Sequence, residues 1–506
     1  MISQIVLCLF LMLLLVFLAV RRWNIQKFVQ HSKKIKCDLK SYPFIGHAHM
    51  FIGNAVTRMQ TLQKFGYDAI KNGGLSYMWL ADKYYVVDPD DIEVIVKTSL
   101  EKDDVMRFAR NLIGNGAIFA PVAIWRPRRK ILAPTFSPKN LNNFVKVFAR
   151  RSSIMVDKLR SATGRGVVSV WQYFTTYTLE AVCESTLGIQ LDGHNEKGSC
   201  LKSFSICFKL IAERMTQPWL YPDATYKLMP HHNIFEKHKE IVWGFIDGVI
   251  RNKRASMKKN IEVKKDPYEM KTFLDLLVQV SSQDRGYSDL ELREETLVMV
   301  AAGTDTSAVG ASFATALMAR HPHVQEKVAQ ELEEVFGDSD RPVNTEDLPY
   351  LKYLDAVIKE TLRLYPPVPV VVRKIEKDLE LPSGMTLIDG CGVMIHIWAI
   401  NRNPKYWGDD AELFRPERFL EPLKHPAAYM SFSHGPRSCI GYQYAMMSMK
   451  TAVATFLRSY RVLIADDEGI NKPLRVAFEV MMKDADGFKV KLEKRKMATT
   501  VNRMRK

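Results

Sequence analysis

The ten residues Phe432–Gly441, FSHGPRSCIG, hold one cysteine, Cys439, between Gly435 and Gly441, with Arg437 two residues before it. Cysteine does chemistry as a thiolate, and a free thiol with its usual pKa of about 8.5 needs backbone N–H groups, a helix N-terminus or a cation to carry that charge. The helix-like run YQYAMMSMKTAVATFLRSY follows directly, so Cys439 sits near the positive end of a helix. Gly435 and Gly441 let the chain turn sharply and approach a flat ligand closely. Ligand and nucleophile are the two chemical uses such a thiolate has. A buried structural cysteine in a glycine-rich turn satisfies the same pattern.

Three further groupings could do chemistry. In KETLRLYPP, Glu360 and Arg363 are three apart on one helical face and can pair, although exposed pairs of this kind contribute little. In WRPRRK, Trp125 and Arg129 are four apart and point the same way on a helix, as residues of a solvated basic face also do. In AAGTDTS, Gly303, Asp305 and Thr306 are poor helix formers in the middle of an apolar helical stretch. A threonine hydroxyl bonding back to the preceding turn can open the helix there and leave room for a small molecule and water, and helix–helix packing is the plainer use of the same residues.

A cysteine nucleophile needs a histidine base, and His434 is the histidine close by in sequence. A zinc site needs several more cysteines or histidines, and an iron–sulfur cluster needs four cysteines, where the local sequence supplies one. A metal needing a single protein ligand, because a macrocycle supplies the rest, fits best, and that metal is haem iron.

The elements that position these residues are mostly helical. Apolar residues recur at three- and four-residue spacing over 141–161, 232–259, 292–320, 322–336 and 351–366. LSYMWL and KYYVVD, with a turn at Ala81 and Asp82, read as a β-hairpin, and strand-like pieces return over 368–397. With no repeat and no clear linker inside the body, the expected class is mainly α with a smaller β region in a single large domain.

Composition narrows the function classes. The chain has 506 residues, 47% of them hydrophobic, which is ample for a large core. Its 72 Lys and Arg against 56 Asp and Glu give a formal charge of +16, without zinc-finger spacing or an aromatic-basic RNA pattern, so no nucleic-acid partner is expected. Seven scattered cysteines argue against a disulfide framework. Residues 5–20 are unbroken apolar sequence, followed by the basic cluster Arg21, Arg22, Lys27, Lys33, Lys34 and Lys36, with no small-residue cleavage site before it. That predicts an uncleaved anchor with the rest of the chain on the cytosolic side, against the alternative of a cleaved secretory signal. The expected divisions are a transmembrane signal anchor over 1–22, a basic linker and hinge over 23–54, a catalytic domain over 55–495 and a basic tail over 496–506.

FSHGPRSCIG matches the Phe-x-x-Gly-x-Arg-x-Cys-x-Gly haem-binding pattern of cytochrome P450, the haem-thiolate monooxygenases, at all five fixed positions, and KETLR, FRPERF, WRPRR and AAGTDTS follow the family's order. The resemblance covers most of the chain and is similar in texture to insect microsomal members near the fatty-acid hydroxylase branch. It implies the cytochrome P450 fold and haem b (iron protoporphyrin IX), with Cys439 as axial thiolate, Phe432 packed beside the sulfur, and Gly441 closing the loop. It further implies that Trp125, Arg129, Arg373 and Arg437 serve the haem propionates. Glu360, Arg363 and Arg418 would form a buried structural network, and Asp305 and Thr306 would be catalytic, Thr306 holding dioxygen and its water while Asp305 brings protons in.

The implied activity inserts one oxygen atom from O2 into a lipophilic small molecule, with electrons from NADPH through a separate NADPH-cytochrome P450 reductase and cytochrome b5 as a possible assistant. The implied location is the endoplasmic reticulum membrane, single-pass. Arg126, Arg128 and Lys130 would ring the face that docks the donor, the IGNGAIFAP loop would face substrate, and Trp219, Leu220, Tyr221 and Leu228 would touch the membrane. Some fatty-acid hydroxylases of this superfamily have a glutamate esterified to haem where this chain has Ala302, so covalent attachment is not expected. The rivals are a haem-thiolate isomerase or dehydratase, and a noncatalytic haem carrier or sensor.

Overall fold

Ser288 and Glu291 start the central core helix with a reciprocal capping box, and the helix runs unbroken from Asp289 to Arg320. It is long and apolar enough to cross a membrane, yet 78% of its most apolar stretch is buried inside the protein, which makes it a core helix. Apolar side chains on every side suit such a position, because helices pack around it: Trp171–Val182, Lys352–Leu364 and Tyr442–Ser459 all lie against it. Glycine lets two of these come close. A Cβ on Gly303 would stand 2.6 Å from Val182 Cγ2, and one on Gly310 would stand 2.6 Å from Met449 Sδ.

This computed structural model describes residues 26–495 except 43–44, 80–82, 165, 192–195, 262–271, 282–286 and 466–472, together with Met12, Leu15, Val16, Ala19 and Val20. Most of the anchor expected over 1–22, the tail 496–506 and the hairpin turn at Ala81 and Asp82 lie outside the described residues. Within 26–54, Phe28, His47 and Phe51 are buried against the body.

The helices expected from periodicity form with small shifts, as Pro138–Leu159, Pro230–Ile261, Asp289–Arg320, Pro322–Phe336 and Lys352–Leu364. The hairpin pairs Leu75–Met78 with Lys83–Val86, antiparallel, Leu75 opposite Val86. Lys83–Val86 then pairs in parallel with Gly392–Ile395, which pairs antiparallel with Val371–Lys374, completing a four-stranded sheet from distant parts of the chain. A three-stranded sheet joins Val167–Ser169, Lys489–Lys494 and Tyr460–Ile464. A tight hairpin pairs Val476–Glu479 with Met481–Asp484 around Val480, whose φ of 68° is rare for a β-branched residue.

Candidate active site

The cysteine loop is shaped by two left-handed residues, Ser433 at φ 61° and Gly435 at φ 74°. Glycine is required at 435, because a Cβ would lie 2.9 Å from Val96 Cγ2 and 3.1 Å from the Val96 carbonyl oxygen. The Ser438 N–H donates to the Gly435 carbonyl and the Cys439 N–H to the Phe432 carbonyl, both at 2.9 Å, so the loop folds back on itself. Gly441 then heads the helix Tyr442–Ser459, where its carbonyl accepts from the Ala445 N–H at 2.8 Å. On the protein side a Cβ at Gly441 would meet only the Phe136 ring at 3.8 Å, so packing against protein does not demand a glycine there. The Phe432 ring stands edge-on to Tyr442, centroids 4.6 Å apart.

Cys439 is exposed, and what it faces is an internal cavity of about 410 Å3. The site still lies deep in the protein. Burial pushes the Cys439 thiol above its ordinary pKa, opposed by a hydrogen bond from the Gly441 N–H and by the Arg129 charge. A thiol in that setting stays protonated until a metal replaces the proton, and metal binding releases it.

Around the same end of the cavity stand Arg129, Arg373, Arg437 and Lys102. Arg129 Nη1 donates to the Ser438 carbonyl at 2.9 Å, Arg373 Nη1 to the Val372 carbonyl at 3.0 Å, and Arg437 Nη2 to the Ala120 carbonyl at 2.9 Å, while the Arg437 guanidinium stacks 4.2 Å from the Trp125 ring. Arg373 Nε and Arg437 Nε and Nη1 are buried with no hydrogen-bond partner. Burial lowers the pKa of Arg373 and Arg437 to about 10, and that of Lys102 well below its usual range; neighbouring arginines add repulsion at each, while the Glu101 charge opposes the shift at Arg437. None of the four has an ion pair among the described residues. Unpaired cations in this setting, Arg373 buried and the other three half-buried beside the cavity, are costly and call for an anion.

The central helix also lines the cavity, through Ala302, Gly303, Thr306 and Ser307. Thr306 Oγ1 donates back to the Ala302 carbonyl at 2.7 Å, the bond expected for a threonine in this place. The Asp305 carboxylate lies outside the cavity lining and pairs with Lys483 Nζ at 3.2 Å, an ion pair without a directed hydrogen bond.

The comparisons with known proteins agree with one another. The profile described as cytochrome P450 matches residues 39–492. Mouse cytochrome P450 4V2 is 31% identical, over 94% of this chain and 91% of its own length, and a probable cytochrome P450 4d21 of Drosophila melanogaster is 32% identical, over 86% and 88%. A German cockroach protein, cytochrome P450 4c21 of Blattella germanica, is 31% identical over 74% of this chain and 76% of its own. The chain belongs to the cytochrome P450 family. As a cytochrome P450 it is a haem-thiolate monooxygenase: cysteine-ligated haem b, O2, an organic substrate and reducing equivalents from NADPH through a separate reductase.

The residues present fit that cofactor. Haem b carries two propionates, and the unsatisfied N–H groups of Arg373 and Arg437, with Arg129 and Lys102 beside them, are the anion-seeking donors those carboxylates require. The expected network also comes together, and it is buried where an exposed pair would have been worth little. Glu360 and Arg363 have no exposed side-chain surface, and their carboxylate and guanidinium meet at 2.7 Å and 2.8 Å. Arg363 also donates to the Asn401, Ala411 and Leu413 carbonyls, and Arg418 Nε reaches Glu360 at 3.3 Å.

Three expected surface residues are not at the surface. Arg128 does not belong to the basic ring: it is buried, 2.7 Å from Glu291 and 2.9 Å from Glu295, leaving Arg126 and Lys130 exposed. Helical spacing put Arg128 near the others, but only the facing helix decides which residue turns inward. Leu220 is buried, and Tyr221 lines the cavity and donates to the Met215 carbonyl, so neither faces outward as Trp219 and Leu228 do. The IGNGAIFAP loop does face the cavity, through Ile113, Ala117, Ile118 and Phe119. Lys102 escaped the sequence reading because it belongs to no recognisable pattern, and Lys483 because its partner is far away in the chain.

Proposed function

We propose that Cys439 Sγ is the axial ligand of haem b, that Trp125, Arg129, Arg373 and Arg437 hold its propionates with Lys102, and that Thr306 and Asp305 manage dioxygen and protons on the opposite side. The observation that carries the reading is one cavity lined together by a thiol, by unpaired cations and by a threonine-bearing helix. When bound, the haem supplies the redox centre at which O2 is activated. In the net reaction one oxygen atom enters a C–H bond of substrate and the other leaves as water, consuming two electrons and two protons.

The protein's own contribution is positioning. The Cys439 thiol gives its proton to solvent on metal binding, and the Gly441 N–H and the Arg129 charge favour the resulting thiolate. Phe432 and Phe136 line the cavity with the cysteine loop, Phe136 lying against Gly441. Thr306, freed from its backbone bond, offers an O–H to a ligand in the cavity, and Asp305, next in sequence, accepts a proton from water and passes it on.

The substrate we infer is an extended, largely aliphatic molecule, of the acyl-chain kind. From Cys439 the cavity reaches Phe51, Leu62, Met78 and Tyr85, and both tyrosine hydroxyls of that arm are spent internally, Tyr85 on Met78 Sδ at 3.5 Å and Tyr221 on the Met215 carbonyl at 2.7 Å, while the unpartnered Ser307 and Ser433 hydroxyls belong to the central helix and the cysteine loop. Such a lining rewards apolar length and gives polar groups few partners.

Residues 1–22 would anchor the protein in the endoplasmic reticulum membrane in a single pass, with 23–54 as linker, the catalytic domain of 55–495 in the cytosol and 496–506 as tail. Trp219 and Leu228, 45% and 88% exposed, would meet the lipid surface. Exposed Arg126 and Lys130 would receive the acidic donor, the reductase and in a supporting role cytochrome b5. The test is reconstitution with reductase, NADPH and isotopically labelled O2 against a panel of fatty acids and lipophilic alcohols. A product carrying one labelled oxygen supports the reading, and NADPH consumption without any labelled product across the panel overturns the substrate class.

A further inference from the structure

The hairpin of Val476–Glu479 and Met481–Asp484 touches two places at once. Phe478, Val480 and Met481 line the cavity, so a molecule lying over Cys439 meets the hairpin tip. Two residues on from Met481, and so on the same face of the strand, Lys483 reaches the central helix. Its Nζ is 3.2 Å from Asp305 Oδ2 and 4.9 Å from the centre of the Trp171 ring, and the Lys483 and Asp305 side chains are only 9% and 14% exposed. Lys483 is the ion-pair partner of Asp305 among the described residues, and Asp305 Oδ2 has no directed hydrogen bond of its own. Thr306, the next residue, does line the cavity. The acid is thus adjacent to the cavity but drawn away from it by a cation on the element that substrate touches.

We propose that Lys483 is a positioning residue that couples substrate occupancy to proton delivery. With the cavity empty of substrate, Lys483 holds the Asp305 carboxylate on the hairpin side. A substrate pressing on Val480 and Met481 shifts the strand, the ion pair opens, and the carboxylate turns toward Thr306. There it takes one proton from water and hands one on, so the pair itself gains and loses none. The φ of Val480, 68°, stores backbone strain at the tip that the surrounding packing holds in place. This inference rests on Asp305 being the proton carrier, as proposed above.

The test uses full-length holoenzyme with reductase, in three variants: Lys483→Met, Lys483→Arg and Asp305→Asn. In Lys483→Met, NADPH consumption without substrate rises about fivefold, the factor that ~1 kcal/mol of lost restraint corresponds to, and stimulation by an aliphatic substrate shrinks by the same factor. Lys483→Arg restores substrate dependence. Crystal structures of the parent with and without substrate carry a readout independent of turnover: the Nζ–Oδ2 distance, 3.2 Å here, opens beyond the roughly 4 Å limit of an ion pair on binding. Lys483→Met with unchanged substrate dependence, or an ion pair that stays closed with substrate bound, overturns the coupling. Asp305→Asn with the parent's rate and solvent isotope effect overturns instead the proton-carrier reading beneath it. Should Lys483→Met fail to hold haem, Lys483→Gln takes its place, with the same rise in substrate-free NADPH consumption expected and an unchanged substrate dependence again overturning the coupling.

Discussion

Replacing Arg363 by lysine keeps the charge and removes the fork. The guanidinium makes five hydrogen bonds: two to Glu360 at 2.7 and 2.8 Å, two from Nη1 to the Asn401 and Ala411 carbonyls at 2.7 and 2.6 Å, and one to the Leu413 carbonyl at 3.1 Å. An ammonium has three donors on a compact head, so at least two of these acceptors lose their partner in a site with no exposed surface. Each unsatisfied buried group costs about 1–3 kcal/mol, and the lost stacking on Trp407 adds ~0.5–1 kcal/mol, for an expected destabilisation of about 2.5–7 kcal/mol. The assay is urea unfolding followed by tryptophan fluorescence and Soret absorbance, with haem content after gel filtration. Lys97→Ala, which breaks the exposed Lys97–Glu93 pair, is the control and costs less than about 1 kcal/mol. If Arg363→Lys unfolds within 1 kcal/mol of the parent, about the value of a surface pair, and keeps its haem, the argument from buried donors is wrong.

Two further outcomes follow from buried charges. Burial raises the Glu295 carboxyl from 4.5 to about 7 in spite of Arg128 and the Ala117 N–H, so the folded state binds this proton more tightly than the unfolded chain does. The stability it confers is therefore full below pH ~4.5 and is lost as pH rises toward 7, a span of about 3 kcal/mol, and Glu295→Gln abolishes that slope. Urea midpoints at about pH 5.5 and 8 must then shift in the variant's favour at the higher pH. Arg437→Leu removes two unpartnered donors and the stacking on Trp125, and its haem is lost to an apomyoglobin acceptor faster than the parent's by about tenfold or more, whereas an equal rate would separate Arg437 from the propionates.

What could be read from the sequence was whatever chemistry packs into a short window. The cysteine loop declares itself because its glycine, arginine and cysteine all act within ten residues, and the long helices because apolar spacing persists over several turns. Partners far apart in the chain left no such trace. Lys83–Val86 pairs in parallel with Gly392–Ile395, and Lys483 finds Asp305, through contacts that no local pattern encodes. Burial was equally hidden: Glu360 and Arg363 at three-residue spacing look like a surface pair until the 401–418 segment closes over them, and Arg128 looks like its neighbours Arg126 and Lys130 until the central helix packs against it. The charges that hold a cofactor are the hardest to see, since Lys102 matters only because the loop carrying it ends beside Arg373 and Arg437.

The most direct measurement is the carbon monoxide spectrum of the reduced protein, parent beside Cys439→Ser. The parent should give the strongly red-shifted Soret band of a thiolate-ligated haem, and the variant should lose that band while any haem it retains absorbs where oxygen- or nitrogen-ligated haems do. An unshifted band in the parent, or a red-shifted one that survives the substitution, would mean that the sulfur on the iron is not that of Cys439.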